Sequence, residues 1–400
     1  MSLPDREATF ENALAFAQDL IRIPGLSGAE GDVACRVLEE FEALGLEDIR
    51  SDDVGNVIGV VRGSEGAPAV LLNCHLDVVA EGDHSEWEFP PFSGTVEGDF
   101  LHGRGAMDIK GPLAIQTYAA ASLIGRARGD VIVAHTVFEE RGGLGMKSLL
   151  ESGVKPGAVI IGESTQGDVC IGHRGRGEVE IVIRGLAGHA SAPDRAANAL
   201  DLVPAVLKAL HSLAGVQDAD PILGRSTLVA TGLDVLPESR NVIPDKVTVV
   251  VDWRVLPGAT HEWMEQSIEA AVRAEVADLP DGLTLEVHMA VEEQATYTGV
   301  TSKRSLFTPG FLMDADDPLV RAAAEAVGQR EGTAPATVRP WAFATDGGWS
   351  CGINGIPTVG FAPGEERYAH TNRERLDLDE ARWAFGRYPL LIDGLHGALG

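Results

Sequence analysis

Val70-Leu71-Leu72-Asn73-Cys74-His75-Leu76-Asp77 is an apolar run that ends on a histidine, with a carboxylate two residues later. Two further stretches share the design. Val131-Ile132-Val133-Ala134-His135-Thr136-Val137-Phe138 runs into Glu139-Glu140, and Ala158-Val159-Ile160-Ile161-Gly162 runs into Glu163. Apolar runs of this length bounded by Gly, Asp and Arg read as buried strands. Ligands bind at the carboxyl ends of strands in open α/β sheets. Asp108, in the tight loop Gly103-Arg104-Gly105-Ala106-Met107-Asp108, and His370 near the C-terminus complete a set of two imidazoles and four carboxylates. Singly, each is an ordinary solvated charge or loop residue. Their joint placement points to a pair of divalent cations.

Outward from these strands, apolar residues at helical spacing predict helices over 5–23, 29–45, 110–125, 143–151, 317–331 and 378–396. Strands are expected near 56–62, 69–74, 130–138, 157–162 and 356–361. Alternating strands and helices predict an α/β fold with a mostly parallel sheet. After Gly177 the pattern changes. A strand at 178–184, a helix at 195–213, strands at 226–231 and 246–254, a helix at 260–276 and a strand at 283–290 give β-α-β-β-α-β, the ferredoxin-like α+β unit. His370 must join ligands that lie before residue 164. The expected organisation is therefore a discontinuous metal-binding domain, 1–176 and 294–400, with 177–293 inserted.

The composition narrows the function. The 400 residues suit two domains, and 44% hydrophobic content supports sizeable cores. Sixty acidic against 32 basic residues give a formal charge of −28, with no Lys/Arg cluster to hold nucleic acid. No apolar stretch approaches a membrane span and no signal-peptide pattern opens the chain. Cys35, Cys74, Cys170 and Cys351 have no metal or redox spacing, so free thiols in a cytoplasmic protein are expected.

Imidazole and carboxylate donors without thiolates suit Zn²⁺, with Co²⁺ or Mn²⁺ as alternatives. Asp108 is the expected bridge, with His75 and Glu163 on one ion and Glu140 and His370 on the other. Adjacent Glu139 and Glu140 point in different directions at a strand end, so one can ligate while the other faces the bridging water. Asp77 is placed to orient His75. A dinucleotide-dependent oxidoreductase is disfavoured, because Gly103-x-Gly105 lacks the third glycine of that fingerprint.

Nearly the whole chain resembles the di-zinc amidohydrolases and exopeptidases that include acetylornithine deacetylase, succinyl-diaminopimelate desuccinylase and carboxypeptidase G. The resemblance is carried by Cys74 to Val79, Trp87 to Phe92, Gly103 to Gly111, Phe138 to Gly143 and Ile161-Gly162-Glu163. It continues through Gly188-His189-Ala190-Ser191, Asn241 to Pro244, Val251-Asp252-Trp253-Arg254 and Ala369-His370-Thr371-Asn372. His173-Arg174-Gly175, Ser191-Ala192-Pro193 and Arg339-Pro340-Trp341 resemble a hydrolase branch linked to selenium metabolism.

The resemblance implies the ligand set above, Glu139 as general base and a cis peptide between Asp108 and Ile109. It implies that the inserted domain is a lid and homodimer interface. His189 would reach the partner's site to hold the oxyanion, and Asn241 and Arg254 would hold substrate carbonyl or carboxylate. For Arg254 the alternative is pairing with Asp252. Arg174 is placed with the substrate contacts. In Thr345-Asp346-Gly347-Gly348, Thr345 and Gly347 would offer backbone N–H groups, unless the stretch is only a tight turn. Glu163, rather than Asp, tilts the reaction towards deacylases and carboxypeptidases. A small N-acyl amino acid or related carboxylate is the expected substrate, with a dipeptidase or other exopeptidase as the alternative.

Overall fold

A computed structural model describes residues 7–276 and 278–400. The chain forms two compact units. The first comprises the chain through His173 together with Gln294–Ser302 and Leu312–Gly400.

Its sheet has eight strands, in the order Glu47–Ser51, Val57–Val61, Gly129–Thr136, Ala67–His75, Ala158–Ile161, Thr358–Gly360, Val169–Cys170 and Val338–Arg339. From Gly129–Thr136 to Thr358–Gly360 the neighbours run parallel, with His75 opposite Thr136 and Ile161 opposite both Asn73 and Gly360. This register brings the chain after His75, Thr136 and Ile161 to one edge of the sheet. The strand residues there are buried on both faces, as their unbroken apolar runs require.

The helix Lys110–Ala121 has every residue buried. It packs against the helices Phe10–Arg22 and Leu378–Leu399 and against the strand Ala67–His75. It starts directly after the loop bearing Asp108. A side chain at Gly111 would meet the Ala106 carbonyl oxygen at 2.1 Å, so the tight loop needs glycine there.

The second unit is Arg174–Glu293 with Lys303–Phe311. Strands Thr227–Leu236, Lys246–Val255, Gly175–Arg184 and Thr284–Met289 lie in that order, all antiparallel to their neighbours. Helices Val203–Gly215 and His261–Glu275 pack on one face, where Val206, Leu210, Met264 and Ile268 meet Val179, Ile181, Val249 and Val251. The order of elements is β-α-β-β-α-β. The unit also takes in residues beyond 293, because Phe307-Thr308 pairs with Arg176-Gly177. A two-residue strand has no alternation by which a sequence could announce it.

Some helices differ from their sequence-based limits. The first begins at Phe10, where the Thr9 hydroxyl accepts the Asn12 N–H; positions 5 and 6 lie outside the described residues. The expected helix at 195–213 opens as short 3₁₀ turns, with Asn198 accepting the Leu200 N–H, and becomes α-helical only at Val203. The helix from Pro318 ends at Val327, before Gly328 with φ +63°. No described helix is long and apolar enough to cross a membrane.

Candidate metal centre

Asp108 lies between two imidazoles. Its Oδ1 is 3.3 Å from His75 Nε2 and its Oδ2 is 3.3 Å from His370 Nε2. Glu163 Oε1 is 3.4 Å from His75 Nε2, and Glu140 Oε2 is 3.0 Å from His370 Nε2. The six residues named from the sequence thus meet at the strand ends. His75, Asp108 and Glu140 form one cluster with donor atoms all within 4.8 Å, and His75, Glu139 and Glu163 form another. The Asp108–Ile109 peptide is cis.

The charges are poorly compensated. Burial pushes the Glu163 carboxyl up to about 7 and Glu139 well above its ordinary value, with neighbouring carboxylates adding to both shifts. Glu140 is raised by burial and by Asp108. Burial opposes ionisation of Asp108 as well, but the His370 and His75 imidazoles beside it hold it well below the usual range. Hydrogen bonds to Asp108 and Glu140 raise His370 to about 10.

These residues fit divalent cations. His75 Nδ1 lies 2.8 Å from the Asp77 carbonyl oxygen, which assigns the proton to Nδ1. The Nε2 lone pair then faces Asp108 and Glu163, and this buried nitrogen has no hydrogen-bond partner. Imidazole nitrogens and carboxylate oxygens are the donors that zinc, cobalt and manganese take.

Two expectations about positioning change. The Asp77 main-chain carbonyl orients His75, while its carboxylate Oδ1 stands 3.5 Å away. That carboxylate accepts instead from the Glu139 N–H, the Glu140 N–H and the Ser27 hydroxyl, at 3.1, 3.3 and 2.6 Å. The extended chain turns after His75, so a backbone oxygen is nearer than the side chain. In the Thr345–Gly348 turn, the Thr345 N–H donates to His173 Nε2, Gly347 to the Thr345 hydroxyl and Gly348 to the Thr345 carbonyl. These amides are already paired, one with His173 and two within the turn.

The sequence reading missed Glu374, Asp346 and Glu30. Glu374, 1% exposed, accepts the Met107 and Asp108 N–H groups and pairs with Arg104. It lies in Asn372-Arg373-Glu374-Arg375, which reads as an exposed charged run. Asp346 is buried and accepts the Thr136 hydroxyl at 2.9 Å. Glu30 accepts the Phe138 N–H. Each does its work through tertiary contacts without a local signature.

In the second unit, Gly188-His189 pairs with Val242-Ile243, which sets His189 beside Asn241. The Ser191 N–H donates to His189 Nδ1 at 3.1 Å, leaving the exposed Nε2 as a donor. Asn241 Oδ1 accepts the Ser239 hydroxyl. Arg254 has the partner weighed as its alternative: Nε donates to Asp252 Oδ1 at 2.8 Å, and Arg176 shares that carboxylate. The Nη2 contact is long, 3.5 Å, so the guanidinium is held by one edge. Arg174 Nη1 donates to the Arg225 carbonyl at 2.6 Å, a contact within this unit.

Three comparisons bear on this geometry. The chain is 31% identical over 365 residues to YgeY of Escherichia coli K12, covering 90% of this chain and 88% of that one. It is 31% identical over 322 residues to succinyl-diaminopimelate desuccinylase of Paracoccus denitrificans, with 76% and 80% covered. The metallo-carboxypeptidase Sso-CP2 of Sulfolobus solfataricus superposes with a TM-score of 0.74 at 18% identity, covering 96% of this chain and 99% of that one. The profile of Peptidase family M20/M25/M40 matches residues 71–386, and the chain belongs to that family of metal-dependent hydrolases.

Proposed function

We propose that this protein hydrolyses the amide bond of a small N-acyl amino acid or related carboxylate-bearing molecule, using two divalent cations, zinc foremost. The observation that carries this is Asp108, whose two oxygens each face a different histidine at 3.3 Å. Similarity to a desuccinylase supports the acyl-amide class. His75 and Glu163 would hold one cation, Glu140 and His370 the other, and Asp108 would bridge them. Bound there, the cations supply a polarising charge and an acidified water.

Glu139 is the residue left to move the proton. Its carboxyl, pushed up by burial and by Glu163 in the metal-free protein, would accept a proton from the acidified water and return it to the leaving amine once the cations offset the neighbouring carboxylates. His189, through Nε2–H, is assigned to the developing oxyanion in a second copy's site. Arg254, held by its Nε edge, presents the rest of its fork to a substrate carboxylate, with Asn241 on the carbonyl.

The homodimer reading is supported by the edge strand Thr227–Leu236, which exposes Val229, Leu233 and Leu236 at 56%, 48% and 47%. The four free cysteines suit a cytoplasmic setting.

The test is metal content by mass spectrometry, followed by assays of N-succinyl and N-acetyl amino acids and dipeptides with Zn²⁺, Co²⁺ or Mn²⁺. Two ions per chain with cleavage of acyl amides support the proposal. Cleavage of dipeptides alone moves the assignment to an exopeptidase. No metal uptake overturns it.

A further inference from the structure

The turn that carries Glu139 and Glu140 is held from outside. Three successive amides point at two buried carboxylates: Phe138 N–H at Glu30 Oε1 at 3.3 Å, Glu139 N–H at Asp77 Oδ1 and Glu140 N–H at Asp77 Oδ2. Phe138 has φ +58°, a left-handed conformation that a phenylalanine keeps only where its surroundings impose it.

Both carboxylates accept hydrogen bonds from one N-terminal loop. Ser27 donates to Asp77, and Glu30 Oε2 accepts the Gly28 N–H at 3.0 Å. The loop is pinned to the strand end, since the Val78 N–H donates to the Gly25 carbonyl. A side chain at Gly28 would meet the Phe138 ring at 3.2 Å. Glu30 occupies the N-cap position of the helix Gly31–Leu44, yet its side chain makes no capping bond. It is fully buried and turned towards the Phe138 amide instead.

We propose that Glu30 is a positioning residue, which together with Ser27 fixes the Phe138–Glu140 turn and so aims Glu140 at its cation and Glu139 at the proton it moves. A cap role would act on the helix; the contacts made act on the turn. Glutamine at position 30 keeps one acceptor oxygen and sets an amide N–H₂ against one of the two N–H donors. Alanine removes both acceptors.

This inference rests on the metal-centre reading, and the experiment separates the two. The metal-free full chain is titrated with Co²⁺ by calorimetry and by visible absorption, for wild type, Glu30→Gln, Glu30→Ala and Ser27→Ala. Val37→Ala, a core change on the same helix, serves as the stability control. Glu30→Gln is expected to weaken one of two Co²⁺ sites by about 10–100-fold and to alter the absorption bands. Ser27→Ala moves the same site in the same direction, less far, and tests the idea should either Glu30 variant fail to fold. Val37→Ala lowers thermal stability and leaves both affinities unchanged. Wild-type protein that takes up two Co²⁺ while the folded Glu30 and Ser27 variants match it overturns this inference alone. So does a Val37→Ala variant that loses affinity as much as Glu30→Gln. Wild-type protein that takes up no Co²⁺ overturns both readings.

Discussion

Glu374 Oε1 accepts the Asp108 N–H at 3.0 Å, across 266 residues of sequence, while its other oxygen pairs with Arg104 at 2.5 Å. The loop presenting Asp108 is thereby fastened to the segment that presents His370. Removing this carboxylate leaves Arg104 buried without its partner and frees two amides. Glu374→Ala should lose about 3–5 kcal/mol of stability, the usual cost of orphaning a buried charge. Denaturant titration measures it, and metal content should fall in parallel. A loss below about 1 kcal/mol would show that the pair does not organise the loop.

Glu139→Gln tests the proton carrier. The change keeps shape and hydrogen-bonding capacity but cannot take up a proton. Turnover should fall about 10²–10⁴-fold, as for loss of a general base, with both metal ions retained by mass spectrometry. A metal-replete variant with near-wild-type turnover would remove Glu139 from that role.

Arg254→Ala is expected to act on binding. Asp252 keeps Arg176 as a partner, so the local ion pair survives the change. A charge-assisted hydrogen bond contributes about 1.5–3 kcal/mol, which corresponds to a KM rise of about 10–150-fold for a carboxylate substrate. kcat should change little, because such a clamp holds ground and transition states alike. Steady-state kinetics on an acyl amino acid and on its carboxyl-amide analogue would show it; equal KM for the two in wild type would dismiss the clamp.

The sheet and the cluster of candidate ligands at its end were legible because burial on both faces leaves long apolar runs, and each run stops where those residues begin. Val70–Cys74 and Ala158–Ile161 are such cases, and both appear where the sequence placed them. Glu47–Ser51 was not legible, because it is an exposed edge strand with polar residues on both faces. The residues that steady the site were hidden for a different reason. Glu374 and Glu30 look like surface charges, and only distant backbone amides make them interior groups. Asp77 was found, but its main-chain carbonyl, not its carboxylate, is the nearer partner of His75. Side-chain spacing along a strand does not reveal where the following backbone turns.

The metal-free protein should lose stability as pH rises from 5 to 7. Burial is the first cause that raises Glu30, Glu163, Asp346, Glu374 and Glu380, each to about 7. In the unfolded chain these groups ionise near 4–4.5. Between the two values the folded form binds protons that the unfolded form has released. Their contribution is therefore complete below about pH 4 and disappears as pH climbs through 7. His370, raised to about 10, keeps its full contribution only up to about pH 6.5, where the unfolded imidazole deprotonates, and then adds to the fall. His135 runs the other way: burial pushes it down to about 3, so its contribution is lost as pH falls below 6.5. His102 and His396, also lowered by burial, act in the same direction as His135, but three histidines against five carboxylates still leave the slope negative. Lys110, lowered by burial to about 7, opposes the trend only above that pH. Each proton counts for at most about 1.4 kcal/mol per pH unit. Saturating Zn²⁺ should reverse the slope, because cations bind the ionised carboxylates and neutral imidazoles and bind more tightly as pH rises. Calorimetric melting at pH 5, 6 and 7, with chelator and then with Zn²⁺, reads both slopes. A midpoint that rises with pH in the chelated protein would mean that the buried carboxylates already have their compensating charge without metal.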